Sequence, residues 1–308
     1  MSPATRASVL AAIRDLGYRP NAAARTLVTG RTNMLGVISI DTTLFGPASM
    51  LYGIERAAHP GYSVAIASLA GFDRMSMAEA VDGFLGQAVD GIIVIAPETA
   101  AVEALTSLAT DVPLVAVGCG IRAPLFSVAI DNLSGAAKAT QYLLDLGHET
   151  VHHIGGPDNW VDAQERVEGW RRTLRAAGAP EPADAPRRLV RSIRLRDRPR
   201  ARGRARRHRG AVRQRSDGPR PAPRPRRARP RVPADVSVVG FDDVPEAAFF
   251  LPPLTTVRQD FGELGKRALR LLLDRISAQH GLEPTLPIEP EMVVRASAGP
   301  ATGRRPSR

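Results

Sequence analysis

Residues 236–243 read Val-Ser-Val-Val-Gly-Phe-Asp-Asp, an apolar run that stops on two adjacent carboxylates. A short apolar run closed by polar residues suits a strand buried on both faces of a parallel sheet. The same pattern recurs outward along the chain at Leu35–Ile40, Tyr62–Ala67, Gly91–Ile95, Leu114–Val117, Val128–Ile130 and Val151–Ile154. Between these runs lie stretches of helical periodicity, at 76–88, 99–109, 133–146 and 160–177. Strands alternating with helices predict an α/β fold with parallel sheets covered on both faces. Ligands of such sheets bind outside the carboxyl ends of the strands. Asp41, Asp131, Gly155-Gly156-Pro157 and Asp242-Asp243 would stand there.

The first 33 residues follow another rule. Ser2 can cap a helix over 2–16, with Pro3 suited to its first position and Val9, Ile13 and Leu16 at helical spacing. Gly17 stops it, Tyr18–Asn21 turns, and Asn21 could cap a second small-residue helix over Ala22–Leu27. Thr29–Thr32 reads as a linker to the first strand.

Composition bounds the function. No window approaches 18 consecutive apolar residues, which excludes a helical membrane span. Residues 1–20 carry Arg6, Arg14, Asp15 and Arg19 within the apolar pattern, so no secretory leader is expected. One cysteine, Cys119, allows neither an internal disulfide nor a multi-cysteine metal site, and a cytoplasmic location is expected. The formal net charge of +11 is local in origin. Residues 187–231 hold 20 arginines against Asp197 and Asp217, a net of +18, which leaves −7 for the remainder. Within 199–231, 28 of 33 residues are Arg, Pro, Ala or Gly. Such a segment buries too little apolar surface to offset its ordering entropy, and disorder is expected from 196 to 231.

Three stretches carry a resemblance. Ser2–Arg6 through Leu16-Gly17-Tyr18-Arg19-Pro20-Asn21-Ala22-Ala23-Ala24-Arg25 resembles the end of the DNA-binding domain and hinge of LacI/GalR-type transcriptional regulators. Val236–Asp243 followed by Pro252-Pro253-Leu254-Thr255-Thr256-Val257-Arg258-Gln259-Asp260 is similar to that family's effector-binding core. So is Leu146-Gly147-His148 leading into Val151–Pro157. The resemblance spans 1–186 and 232–298 and implies a periplasmic-binding-protein-like type I core of two parallel-sheet subdomains behind a partial helical headpiece. It implies a headpiece remnant and hinge over 1–33 and a core over 34–298, with a tail over 299–308. The N-subdomain would comprise about 34–143 and 261–286, and the C-subdomain about 144–260 and 287–298.

Two departures from the family are expected to matter. The chain starts at the loop before the family's third helix, so both helices of the helix-turn-helix would lie upstream. The Arg/Pro segment, about 191–231, stands where the family places a turn, a helix, a buried strand and another helix. A pair of compensating frameshifts would produce its composition, and the rival reading is an arginine-rich arm that binds nucleic acid without sequence preference. Weak effector binding and little operator preference are therefore expected of the chain as written.

The resemblance also assigns residues. Asp131, Arg166 and Asp242 align with effector-contacting positions, and carboxylates with a guanidinium fork suit the vicinal hydroxyls of a sugar. The plainer reading is a solvated loop or a structural ion pair. Trp160 and Asp162 fall at pocket-lining positions, where Trp160 could stack on a pyranose ring or pack in the core. Asp41 and Phe45 could close the other side of the cleft, and Gln259 could reach it or hold a hinge. For DNA, Leu27 matches the hinge residue that wedges into the minor groove, with Ala24 allowing close approach. Asn21 and Arg25 would contact phosphates or cap the helix, and Leu27 could instead be a small-helix core residue.

His148-Glu149-Thr150-Val151-His152 matches the zinc-protease pattern, which needs both histidines on one helical face. Here it runs into an expected strand, where residues four apart lie about 13 Å from each other. No metal or other cofactor is expected. Nor is an enzyme, since no G-x-S-x-G, P-loop or dinucleotide fingerprint occurs. The reading is a sequence-specific DNA-binding regulator, expected to be a homodimeric repressor controlled by a small sugar. The alternatives are a sugar-binding protein without DNA activity and a non-functional product.

Overall fold

The computed structural model describes residues 2–17, 22–40, 42–59, 61–108, 110–121, 126–182, 230–277 and 286–301. Two helices come first, α1 (Pro3–Asp15) and α2 (Ala22–Thr29). Ser2 does cap α1, its Oγ accepting from Thr5 N at 3.2 Å. A first α/β layer follows: β1 (Met34–Ile40), α3 (Phe45–Ala58), β2 (Ser63–Leu69), α4 (Arg74–Gly86), β3 (Gly91–Ile95), α5 (Thr99–Thr106), β4 (Leu114–Val117) and β5 (Ser127–Val128). These strands form an all-parallel sheet in the order β2-β1-β3-β4-β5.

The period-2 alternation of a strand sorts the apolar runs onto two cores. Leu35 and Val37 of β1 and Ile93 and Ile95 of β3 face α3 and a later helix, α8 (Phe261–Ile276). Ile38 and Ile40 of β1 and Ile92 and Val94 of β3 face the opposite core, with Met77, Val81 and Phe84 of α4. Both faces are thus covered, which is why these strands read as continuous apolar runs rather than alternating ones. Helices α3 and α8 cross at Gly53 and Gly265, where a Cβ on Gly265 would lie 2.4 Å from Gly53 C. Only residues without side chains permit that approach.

The second layer contains α6 (Asn132–Asp145), α7 (Val161–Ala176), β6 (Val239–Phe241), a 3-10 turn (Pro245–Phe249), β7 (Thr255–Arg258) and β8 (Glu291–Val293). Strands β6 and β7 pair in parallel, whereas β7 and β8 are antiparallel. The second sheet thus has a parallel pair, β6 and β7, with an antiparallel strand, β8, at its edge. Helix α6 packs along α7 and against β7 and β8.

A further correction concerns Val151–Ile154, which forms no strand. A strand exists only through its ladder, and among the described residues β6 pairs with β7 alone. Beside β6 lies a cavity of about 1020 Å³ lined by 147–154, α6, α7 and 233–241. The expected disorder over 196–231 and the expected loss of a strand concern residues almost wholly outside those described. No helix among the described residues is long and apolar enough to cross a membrane.

Candidate functional site

Strand β6 ends in a backbone turn. Asp242 and Asp243 take φ of 78° and 47°, a left-handed pair that sends the two carboxylates in different directions. Asp243 turns inward, where its oxygens accept from Arg295 Nη1 at 2.7 Å and Arg258 Nε at 2.8 Å. Burial works against its charge, but these two guanidinium bonds win and hold its carboxyl below the usual range. Asp243 is a structural anchor.

Asp242 turns the other way. Its Oδ1 accepts from Gln259 Nε2 at 2.6 Å and lies 3.6 Å from Arg166 Nη2. Arg166 is the hub of the cluster. Its Nε donates to Asn132 Oδ1 at 2.8 Å, and its guanidinium stacks 4.2 Å from the centre of the Phe241 ring. Asn132 is 1% exposed, and its Nδ2 donates to Ile130 O at 3.3 Å, which fixes the amide orientation.

One helical turn before Arg166 lies Asp162, 7% exposed. Burial pushes its carboxyl up to about 7, against the pull of Arg166 and with the support of Glu165 and Asp242. Near neutral pH, Asp162 therefore both donates and accepts. Asp131 caps α6, its Oδ1 accepting from Ser134 N at 2.8 Å. Trp160 stands at the first position before α7, half-buried, its backbone bridged to Glu98.

The structure thus gathers Asp131, Asp162, Arg166, Asp242 and Gln259 at the ends of β6 and β7 and the starts of α6 and α7. Phe45 does not join them. It opens α3 and packs edge-to-face on Phe261, 5.9 Å between ring centres, at the margin of the first core. Asp41 and Asn21 lie outside the described residues. On α2, Leu27 is 88% exposed and so is no core residue, and Ala24 and Arg25 belong to the same helix.

Sequence reasoning missed Asn132 and Glu165. Asn132 acts as the acceptor that orients Arg166, a partner 34 residues away that no local pattern signals. The zinc-like motif dissolves: His148 Nε2 sits 3.0 Å from Ser237 Oγ and 3.1 Å from Gly299 O, with no helix across 148–152. Among the described residues, no three His, Cys, Asp or Glu side chains could hold a metal ion. Cys119 is buried, and burial raises its thiol to about 11, so it packs without reacting.

The chain is similar to known proteins. Residues 140–298 match the family described as periplasmic binding protein-like domain. Residues 37–189 match the one described as periplasmic binding proteins and sugar binding domain of LacI family. The HTH-type transcriptional regulator CelR of Thermobifida fusca is 34% identical over 320 residues, covering 96% of this chain and 90% of the relative. The ribose operon repressor of Escherichia coli K12 is 30% identical, covering 97% and 92%. Among solved structures, a CelR–cellobiose complex is similar with a TM-score of 0.63 at 27% identity, covering 97% of this chain and 92% of that one. The Lac repressor dimer bound to operator and an anti-inducer shares the fold, with a TM-score of 0.69 at 21% identity over 92% and 99%.

Proposed function

Since the chain belongs to the LacI/GalR family of transcriptional regulators, we propose that it is a homodimeric, cytoplasmic repressor whose operator affinity is set by a small sugar held at Arg166. The observation that carries the sugar reading is the Arg166 cluster itself. A guanidinium held by Asn132 and Asp242, two carboxyl groups and the Gln259 amide present paired donors and acceptors within one small volume. Vicinal hydroxyls, each both donor and acceptor, match that surface. Asp131, next to Asn132, and Trp160, two residues before Asp162, would complete the site, the indole covering an apolar sugar face. The relatives named for cellobiose and for the ribose operon fit this class of effector.

On the DNA side, α2 serves as the hinge helix. Its exposed Leu27 and Val28 form an apolar edge of the kind that wedges between base pairs in a minor groove. Eight residues are too few for a helix stable in isolation, so its order depends on what holds both ends. Sugar binding shifts the relation of the two layers and thereby the order of this helix.

The test is a DNA titration. Genomic fragments retained by the purified full chain are titrated with and without each of a panel of mono- and disaccharides, cellobiose and ribose among them. The proposal expects one sugar to change the affinity at least tenfold. A sugar that binds the protein yet leaves DNA affinity untouched favours the sugar-binding-protein reading and overturns this one.

A further inference from the structure

The seam between the two layers runs along the start of α7. On one side, Val161 N donates to Pro97 O at 2.9 Å and Thr99 N donates to Asn159 O at 3.0 Å, beside the Glu98–Trp160 bridge. These are backbone contacts from the loop after β3. Further along the helix, Glu165 Oε1 accepts from Ile121 N, in the loop after β4, at 3.0 Å. That loop is shaped for the contact. Gly120 has φ of 79°, and a Cβ there would lie 2.5 Å from Val161 Cγ1 and 2.9 Å from Glu165 Oε1. A glycine lets the loop lie flat on the helix and aim the next amide at the carboxylate.

We propose that Glu165 is a positioning residue: its carboxylate hooks the loop after β4 and so fixes the angle at which α7 crosses the cleft between the two layers. The two attachments are four residues apart on the helix, about 6 Å along its axis. A helix held at one point can rock about it, whereas one held at two cannot. Asp162 lies between the attachments and Arg166 directly follows the second, so the angle of α7 sets where both meet Asp242 and Asn132. A charged acceptor on a backbone N–H is the stronger kind of hydrogen bond, suited to holding a loop on a helix. The hook is independent of which molecule occupies the site.

Hydrogen exchange on the full chain, read residue by residue, tests this in the wild type, Glu165→Ala and Glu165→Gln. The expected result is that Ile121 exchanges at least tenfold faster in Glu165→Ala, and that Thr99 and Val161 accelerate with it, since the remaining contacts now rock. Amides within β1, β3 and α8 keep their wild-type rates. Glu165→Gln, which retains an acceptor oxygen, preserves most of the protection. Should Glu165→Ala fail to fold, Gly120→Ala disturbs the same contact from the loop side and is expected to give the same pattern. An unchanged rate at Ile121 overturns the proposal. So does acceleration confined to Ile121, or one shared equally by the sheet interior.

Discussion

Replacing Asp162 with asparagine removes an ionisation that the fold resists. Burial raises this carboxyl to about 7, with Arg166 pulling it back down. In the unfolded chain an aspartate titrates near ~3.9. The folded state therefore binds this proton more tightly than the unfolded one. Stability linked to it is fully present below about pH 4, falls as pH rises toward 7, and is constant above. Three units at ~1.36 kcal/mol each give a loss of about 4 kcal/mol at pH 8, and the one unit passed by pH 5 gives about 1.5 kcal/mol. Asparagine has nearly the shape of the protonated acid and does not titrate. Asp162→Asn is thus expected to be more stable than the wild type by an amount that grows with pH. It should be under ~1 kcal/mol at pH 4 and near ~4 kcal/mol at pH 8. Urea unfolding of both proteins at matched pH isolates the term, because the other titrations cancel. A difference that stays flat, or shrinks, from pH 5 to pH 8 would refute the reasoning.

The glycine crossing of α3 and α8 should be intolerant: Gly265→Ala places a Cβ against the Gly53 backbone and is expected to cost ~2–3 kcal/mol in thermal or urea unfolding. Among the described residues, Asp243→Ala removes the only carboxylate against Arg295, whose side chain is 17% exposed and keeps Leu254 O as a partner, and should cost about 2 kcal/mol at neutral pH. Because the carboxyl of Asp243 is held low, its contribution is present above about pH 4 and lost as pH falls through its folded value, so the two proteins should converge in acid. Added Zn²⁺ should leave the melting temperature unchanged, because His148 is engaged by Ser237 and Gly299 instead of facing His152.

What the sequence disclosed follows from which interactions are local. The strands β1, β3 and β4 were legible because burial on both faces demands unbroken apolar runs, and only Ser39 interrupts β1 with a polar group, satisfied by Ile40 O. Asp242 was legible as the residue after a strand. Arg166 was not: on a helix with Arg171, Arg172 and Arg175 it looks like one more solvated base, and only the resemblance singled it out. Asn132 escaped because its role needs a partner 34 residues away. Val151–Ile154 has the composition of a strand yet lacks a described neighbour to pair with, a non-local fact that no pattern encodes.

The central claim is that the cluster around Arg166 is where the effector binds. Calorimetric titration of cellobiose, ribose and related sugars into the wild type, Arg166→Ala and Asp242→Asn tests it most directly. Circular dichroism on each variant establishes that it is folded. The account predicts that at least one sugar binds the wild type and loses at least 100-fold in affinity in Arg166→Ala, about 3 kcal/mol for a charged hydrogen-bond donor removed. It predicts a smaller loss in Asp242→Asn, which keeps one acceptor. Equal affinity for the wild type and a folded Arg166→Ala would contradict it.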